Sequence, residues 1–478
     1  MNLARHTIYN LVGLGAPLLV ALVCTPLLLS SLGTERFGLL SLIWAVTSYF
    51  GLLDFGLGRV LTQAIARCNG QPSDPAFVGH AMVILAGVGL LGTGLMLCLA
   101  PQAVALLHGV ADVDATVAAL NCMALAVPFV VLTSGMRGVL EGHRAFGWVN
   151  LIRLPLGLWT FVGPSLACLI WGADLRAIAA LLLAGRAMAF LAHAWAVRHV
   201  APETLRWPRL QRAPMAELLR AGGWMTVGNL ISPFMGMADR FVVGAWVSAS
   251  AVSWYSTAQE LVARLWIVPG ALTAALFPAF SAVSGPQRSD ELLALFGDAL
   301  HALVAVMLPL TAVLALFADE LLAAWLGDAF ARQAAPLLRL FALAGFVNCL
   351  AHIPFTLLQG VGDARGPALL YCVELPLLLV GLWLVVPKFG AIGAAWLWLG
   401  RIALDTLALF VLAQARQQWR TRWWFRSAHA LQGLGAAVAF GGLACGGVVA
   451  RLACLLAGSL IALQPCLKWR KPSMMGAR

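Results

Sequence analysis

The sequence predicts an all-α, polytopic membrane protein. It has about fourteen transmembrane helices, arranged as two six-helix lobes in parallel pseudo-repeat plus two C-terminal helices. Three observations carry this. Residues of the types AVILMFWYC make up 61% of the 478 residues, and only 11% are charged. The apolar residues fall in runs near the ~20 needed to cross a bilayer as a helix, without the alternating ten-residue pattern of membrane strands. A short echo of sequence also relates the two halves.

The elements follow in order. Spans one to six cover 8–31, 37–58, 76–100, 115–136, 148–171 and 176–198, and make an N-lobe, 1–198. The Arg- and Pro-rich stretch 199–221 is the longest polar segment and reads as a cytoplasmic linker. Spans seven to twelve cover 223–247, 251–281, 292–317, 332–358, 366–387 and 391–414, within a C-lobe at 222–415. Residues 416–478 hold a basic stretch with Trp419, Trp423 and Trp424, suited to the headgroup layer, then spans at 428–450 and 452–467. The last of these is short. Pro17, Pro26 and Pro233 interrupt spans one and seven, and proline bends a helix by removing a donor. The glycines from Gly87 to Gly94 suit close helix contact. The ten cysteines stand singly and read as small apolar side chains. The first span is too long for a cleavable signal and reads as an uncleaved anchor.

The net charge of +11 fits a membrane topology and needs no nucleic-acid partner. With the N-terminus cytoplasmic, 21 of the 31 Lys and Arg fall in cytoplasmic segments and five in the opposite ones. That asymmetry places both termini inside and favours an even span count.

The echo pairs span five with span eleven. Arg144 is followed after eight residues by Arg153-Leu154-Pro155-Leu156, and Arg365 after eight by Glu374-Leu375-Pro376-Leu377. A parallel repeat of this kind sets Arg153 and Glu374 opposite each other across a lobe interface, with opposite charge.

Enzyme signatures are poor. No phosphate loop, nucleophile elbow or metal-ligand spacing occurs, so no cofactor or metal is expected. Asp112-Val113-Asp114 is a possible metal or base pair of a membrane glycosyltransferase, but a short solvated loop explains it better. More informative are the charges inside spans: Asp54, Arg153, Arg186, Asp239, Arg240, Glu260, Arg264, Glu374, Arg401 and Asp405. A charge at mid-bilayer costs ~2.5–3.5 kcal/mol on the mildest scale, so such residues face each other or a wet cavity. Glu260/Arg264 and Arg401/Asp405 stand four apart, the spacing of helical pairs. Arg186 has no partner within a turn. Asp239 and Arg240 diverge by ~100° on a helix, so only one faces a given cavity squarely. Arginine grips phosphate through a planar fork. The expectation is a cationic pocket of Arg153, Arg186, Arg264 and Arg240 for an anionic headgroup, its lipid tail left in the bilayer. Asp54, Asp239, Glu374, Glu260 and Asp405 are then candidates for ion coupling or gating.

Several stretches carry a resemblance: Gly33-Thr-Glu-Arg-Phe-Gly38, Leu53-Asp-Phe-Gly-Leu-Gly58, Asp239-Arg-Phe, Tyr255-Ser-Thr-Ala-Gln-Glu260, Leu276-Phe-Pro-Ala-Phe280 and Gln359-Gly-Val-Gly-Asp363. In this order they resemble the bacterial polysaccharide flippases of the multidrug/oligosaccharidyl-lipid/polysaccharide superfamily. The resemblance implies a two-lobed bundle of twelve to fourteen spans, rocker-like alternation and a cationic central cavity. It also implies transport of undecaprenyl-pyrophosphate-linked oligosaccharide to the outer leaflet of a bacterial inner membrane, coupled to an H+ or Na+ gradient, with membrane lipids around it and a glycan polymerase as partner. Three alternatives stay open: a cation-coupled multidrug exporter, which calls for an acidic pocket; a membrane enzyme of glycan polymerisation, which calls for a large outward loop; and a non-transporting membrane scaffold, which needs no charges inside its spans.

Overall fold

A computed structural model describes residues 3–51, 54, 57–58, 61–62, 65, 75–202, 234–283, 289–361, 363, 365–419 and 427–468. Every regular element among them is helical. Among the described residues, nine helical stretches are long and apolar enough to cross a membrane.

Helix α1, Leu3–Phe50, carries span one and most of span two, joined at Gly33. Gly33 has φ 72° and ψ 173°, backbone angles that cost a residue with a Cβ dearly. Pro17 and Pro26 lie inside α1 without ending it, so the break expected at these prolines falls at the glycine instead. Pro233 lies outside the described residues. Helix α2 is Pro75–Ala105. Span four is two helices, α3 at Val113–Ala124 and α4 at Val127–Gly142. The reason is Pro128, whose ring collides with the carbonyl four residues back. Helices α5, Phe146–Trp171, and α6, Leu175–Val200, follow spans five and six closely.

The described part of span seven is α7, Ala238–Trp246. Span eight is α8, Ala249–Ala263, a 3-10 turn at Arg264–Trp266, and α9, Ile267–Val283. Pro269 accounts for that turn as Pro128 does for the earlier break. Helix α10 is Ser289–Leu316. The expected loop after it is a short helix, α11 at Ala318–Leu326, with Asp319 and Glu320 in its first turn where the helix dipole favours them. Helix α12 is Asp328–Gly360. Helix α13, Arg365–Gln417, holds spans eleven and twelve, joined at Gly390 with φ 60°. Helices α14, Ser427–Gly441, and α15, Val448–Lys468, are the C-terminal pair.

The chain forms two compact units, Met1–Ser253 and Trp254–Arg478. Most of the expected linker, from residue 203, lies outside the described residues. In the first unit α1 packs on α5, α2 on α4, and both α3 and α4 on α6. Leu57, Leu61, Leu85, Val131 and Val139 are buried in its core. In the second unit α12 is central, with α10, α11 and α13 against it, and α14 and α15 pack together on α10. Phe296, Met307, Leu308 and Leu357 fill that core. A Cβ on Gly435 or Gly458 would meet the other's carbonyl oxygen at 2.6 or 2.5 Å, so the last two helices cross backbone to backbone.

Candidate functional site

The first unit contains a cavity of about 450 Å³ between α1, α4, α5 and α6. Arg137, Arg153 and Arg186 line it together with His193. So do the hydroxyl residues Thr47, Ser48, Thr133, Ser134 and Thr160. Among the described residues, no carboxylate lines it.

Helical spacing explains the convergence. Arg186, Ala189 and His193 stand at i, i+3 and i+7 on α6, one face of the helix. Val149, Arg153, Leu156 and Thr160, at i, i+4, i+7 and i+11, share one face of α5, and Val130, Ser134 and Arg137, at i, i+4 and i+7, one face of α4. The turn joining α4 to α5 lies at the same end as the C-terminus of α6. Arg186 stands fourteen residues before that terminus, about 20 Å along the axis at 1.5 Å per residue. The basic groups therefore line the cavity from near one end to mid-span.

Arg153 and Arg186 make no ion pair or hydrogen bond among the described residues. Arg137 reaches Glu141 at 3.8 Å on its exposed side. Two unpaired guanidinium groups beside an apolar core are costly unless the cavity is wet or an anion fills it.

The helix backbone beside Arg186 is closely packed. Trp159 donates its indole N–H to the Leu181 carbonyl at 2.7 Å, tying α5 to α6. The indole lies directly over Gly185, where an added Cβ would stand 2.8 Å from its nitrogen. Asp54 sits behind the cavity wall, accepting a 2.5 Å hydrogen bond from Ser134. A Cβ on Gly58 would lie 3.0 Å from both that carboxylate and the Ser134 carbonyl.

The structure divides the expected arginine set. Arg153 and Arg186 come together. Arg240 is not among the cavity's lining residues; it is buried next to Asp239 in the first turn of α7, its backbone N–H bonded to the Asp239 carboxylate at 2.8 Å. Arg264, in the second unit, pairs with Glu260 at 3.1 Å, as their spacing indicated. Arg401 pairs with Glu374 at 3.2 Å, across the Gly390 joint, and not primarily with Asp405. The Asp405 carboxyl lies close enough to that of Glu374 for each to feel the other. Glu374 and Asp405 are both buried, and Glu374 Oε1, Asp405 Oδ1 and Arg401 Nε have no partner of their own. Asp112 is a helix cap: its carboxylate accepts from the Ala115 N–H at 2.8 Å at the start of α3.

Sequence reasoning missed Arg137, His193 and the hydroxyl wall. The one-face spacing of Arg186 and His193 was a usable signal. Arg137 read simply as a cytoplasmic loop charge.

Comparison with known proteins supplies the family. The model described as "Polysaccharide biosynthesis protein" matches residues 3–284, and a second, described as MatE, matches residues 225–384. The chain is 29% identical over 412 residues to a Shigella flexneri protein named "Putative O-antigen transporter", covering 86% of this chain and 97% of that one. Among solved structures it is similar in fold to an inward-facing multidrug resistance MATE family transporter, with TM-score 0.74, 16% identity, and 85% and 98% of the two chains covered. It is likewise similar to an inward closed conformation of the lipid II flippase MurJ, with TM-score 0.72, 12% identity, and 96% of each chain covered.

Proposed function

Since the chain belongs to the polysaccharide biosynthesis protein family of membrane proteins, we propose that it flips a lipid-linked oligosaccharide from the cytoplasmic to the outer leaflet of a bacterial inner membrane. The undecaprenyl diphosphate seats in the cavity of the first unit, the prenyl tail stays in lipid, and alternating access moves the headgroup. The observation that carries this is the pair Arg153 and Arg186, converging on one cavity where, among the described residues, neither has a partner and no carboxylate lines the wall. Diphosphate is the ligand such a donor set fits: bidentate, charge-assisted hydrogen bonds form to its oxygens, and low dielectric strengthens them. The Shigella flexneri relative is named an O-antigen transporter, which agrees with a glycan cargo.

Glu374, Arg401 and Asp405 supply the coupling. Two carboxylates and one guanidinium sum to −1 in a buried site, a charge that a proton or Na+ neutralises. Asp54, Asp239 and Glu260 are further acids through which the gradient acts. Both termini lie in the cytoplasm, following the basic segments, and a glycan polymerase takes the product on the far side.

The multidrug-exporter reading draws on the MatE match and the MATE-like fold. The cationic cavity opposes it, because it repels the cationic drugs that such exporters carry. The test is export of surface glycan in R153A and R186A, with membrane insertion measured alongside. Losing one charge-assisted hydrogen bond of ~1.5–3 kcal/mol lowers transport about tenfold to a hundredfold. Normal surface glycan in both variants refutes the phosphate site.

A further inference from the structure

The cavity wall divides by hydrogen-bond polarity. Its guanidinium groups only donate. Four of its five hydroxyls, all but that of Thr133, have already spent their protons. Thr47 donates to the Ile43 carbonyl at 2.7 Å and Ser48 to the Trp44 carbonyl at 2.8 Å. Thr160 donates to the Leu156 carbonyl at 3.0 Å, and Ser134 to the Asp54 carboxylate. A hydroxyl with its single proton so placed offers a ligand only lone pairs. His193 behaves the same way. Its Nδ1 lies 2.8 Å from the Ala189 carbonyl, which can only accept, so Nδ1 carries the hydrogen. In the neutral ring Nε2 is then an acceptor.

From this we infer that the cavity also reads the first sugar: Thr47, Ser48, Ser134, Thr160 and His193 form an acceptor face for the hydroxyl and amide N–H donors of the residue bonded to the diphosphate. The inference rests on the diphosphate reading given above and adds to it. A bare diphosphate is all acceptor at neutral pH and has nothing to give these five groups. An apolar cation has nothing for the guanidiniums. A glycosyl diphosphate satisfies both faces: phosphate oxygens on Arg153 and Arg186, sugar donors on the hydroxyl wall. The size agrees, since 450 Å³ falls within the range of pockets that enclose small molecules and exceeds what a diphosphate alone fills. A site built to hydrogen-bond a ligand's donors rejects the analogue lacking them, because its own buried polar atoms are left unpaired. The cavity therefore sorts finished glycolipid from bare prenyl diphosphate carrier.

The test uses the full chain in lipid nanodiscs with three short-chain prenyl diphosphates. One is bare, one carries an N-acetylhexosamine, and one carries the same sugar with its hydroxyls O-methylated and its amide N-methylated. The third keeps the acceptors, loses the donors and is larger by a methylene at each, so T160V, which leaves the ligand unchanged, is the control for size. The free sugar is expected to improve affinity at least tenfold over the bare compound, and methylation to abolish that gain. T160V, close in shape to the wild type, lowers affinity for the glycosylated compound about fivefold more than for the bare one, the loss of one neutral hydrogen bond. Equal binding of the free and methylated sugars overturns the inference, as does an equal effect of T160V on bare and glycosylated compounds. Failure of the diphosphate reading looks different: R153A and R186A then bind the bare compound as tightly as wild type does.

Discussion

Replacing Arg401 with methionine tests the charge cluster of the second unit. Its guanidinium lies 3.2 Å from Glu374, and the two side chains are 16% and 9% exposed. Asp405, one helical turn along from Arg401, is also buried. Removing one partner of a buried ion pair costs about 3–5 kcal/mol, because the remaining charge keeps its desolvation penalty and loses its compensation. Here the loss is aggravated: R401M leaves two neighbouring buried carboxyl groups without the guanidinium between their charges. Replacing a whole buried charged group by uncharged residues of similar size is, by contrast, neutral or stabilising by ~1–4 kcal/mol.

The two statements together give a signed series. R401M should melt lowest, R401M with E374Q should recover part of the loss, and R401M with E374Q and D405N should recover at least half. Thermal unfolding in detergent at fixed pH and lipid content reads the series. The cycle built from R401M, E374Q and their double mutant isolates the pair. If R401M melts with the wild type, or the triple variant melts as low as the single one, the cluster is solvated and the charge count used above is wrong.

Three other outcomes follow from contacts in the structure. G185A drives a methyl into the Trp159 indole, 2.8 Å from its nitrogen, so it should cost about 1–3 kcal/mol in stability and reduce glycan export by displacing Arg186 beside it; wild-type export in G185A shows that Trp159 does not hold that arginine. G38A sets a Cβ 2.8 Å from the Ala249 carbonyl carbon, where backbone opposes backbone, and should lower the melting temperature more than G185A does. E260Q should change stability by less than ~1 kcal/mol, because Glu260 and Arg264 are 39% and 38% exposed, and a larger loss in the same melt means that the pair is more deeply desolvated than its surface area indicates.

What the sequence made legible was whatever rests on local period and length. Helical spans show because an apolar run must satisfy its own backbone in lipid, and that requirement is written residue by residue. The Glu260–Arg264 pair shows because four residues make a turn. The breaks at Pro128 and Pro269 were as visible as Pro17 and Pro26, yet only the first two end helices. Proline always removes a donor, but whether the freed carbonyl finds another partner depends on neighbours that the local sequence does not name. The Glu374–Arg401 contact spans 27 residues and turns on the non-helical angles of Gly390, so the nearer Asp405 seemed the natural partner.

The cavity is the instructive case. Arg153 and Arg186 stood out because nothing nearby in sequence could pair with them. The groups that give the cavity its chemistry did not stand out, since serine, threonine and histidine are common in apolar helices and usually serve their own backbone. Here they do serve it, through bonds to the carbonyls of Ile43, Trp44, Leu156 and Ala189. Those same bonds fix which way each group's remaining lone pairs can act. A structural role and a recognition role are thus not competing explanations at these positions. The intrahelical bond is what turns an ambivalent hydroxyl into a dedicated acceptor, and it does so before any ligand arrives.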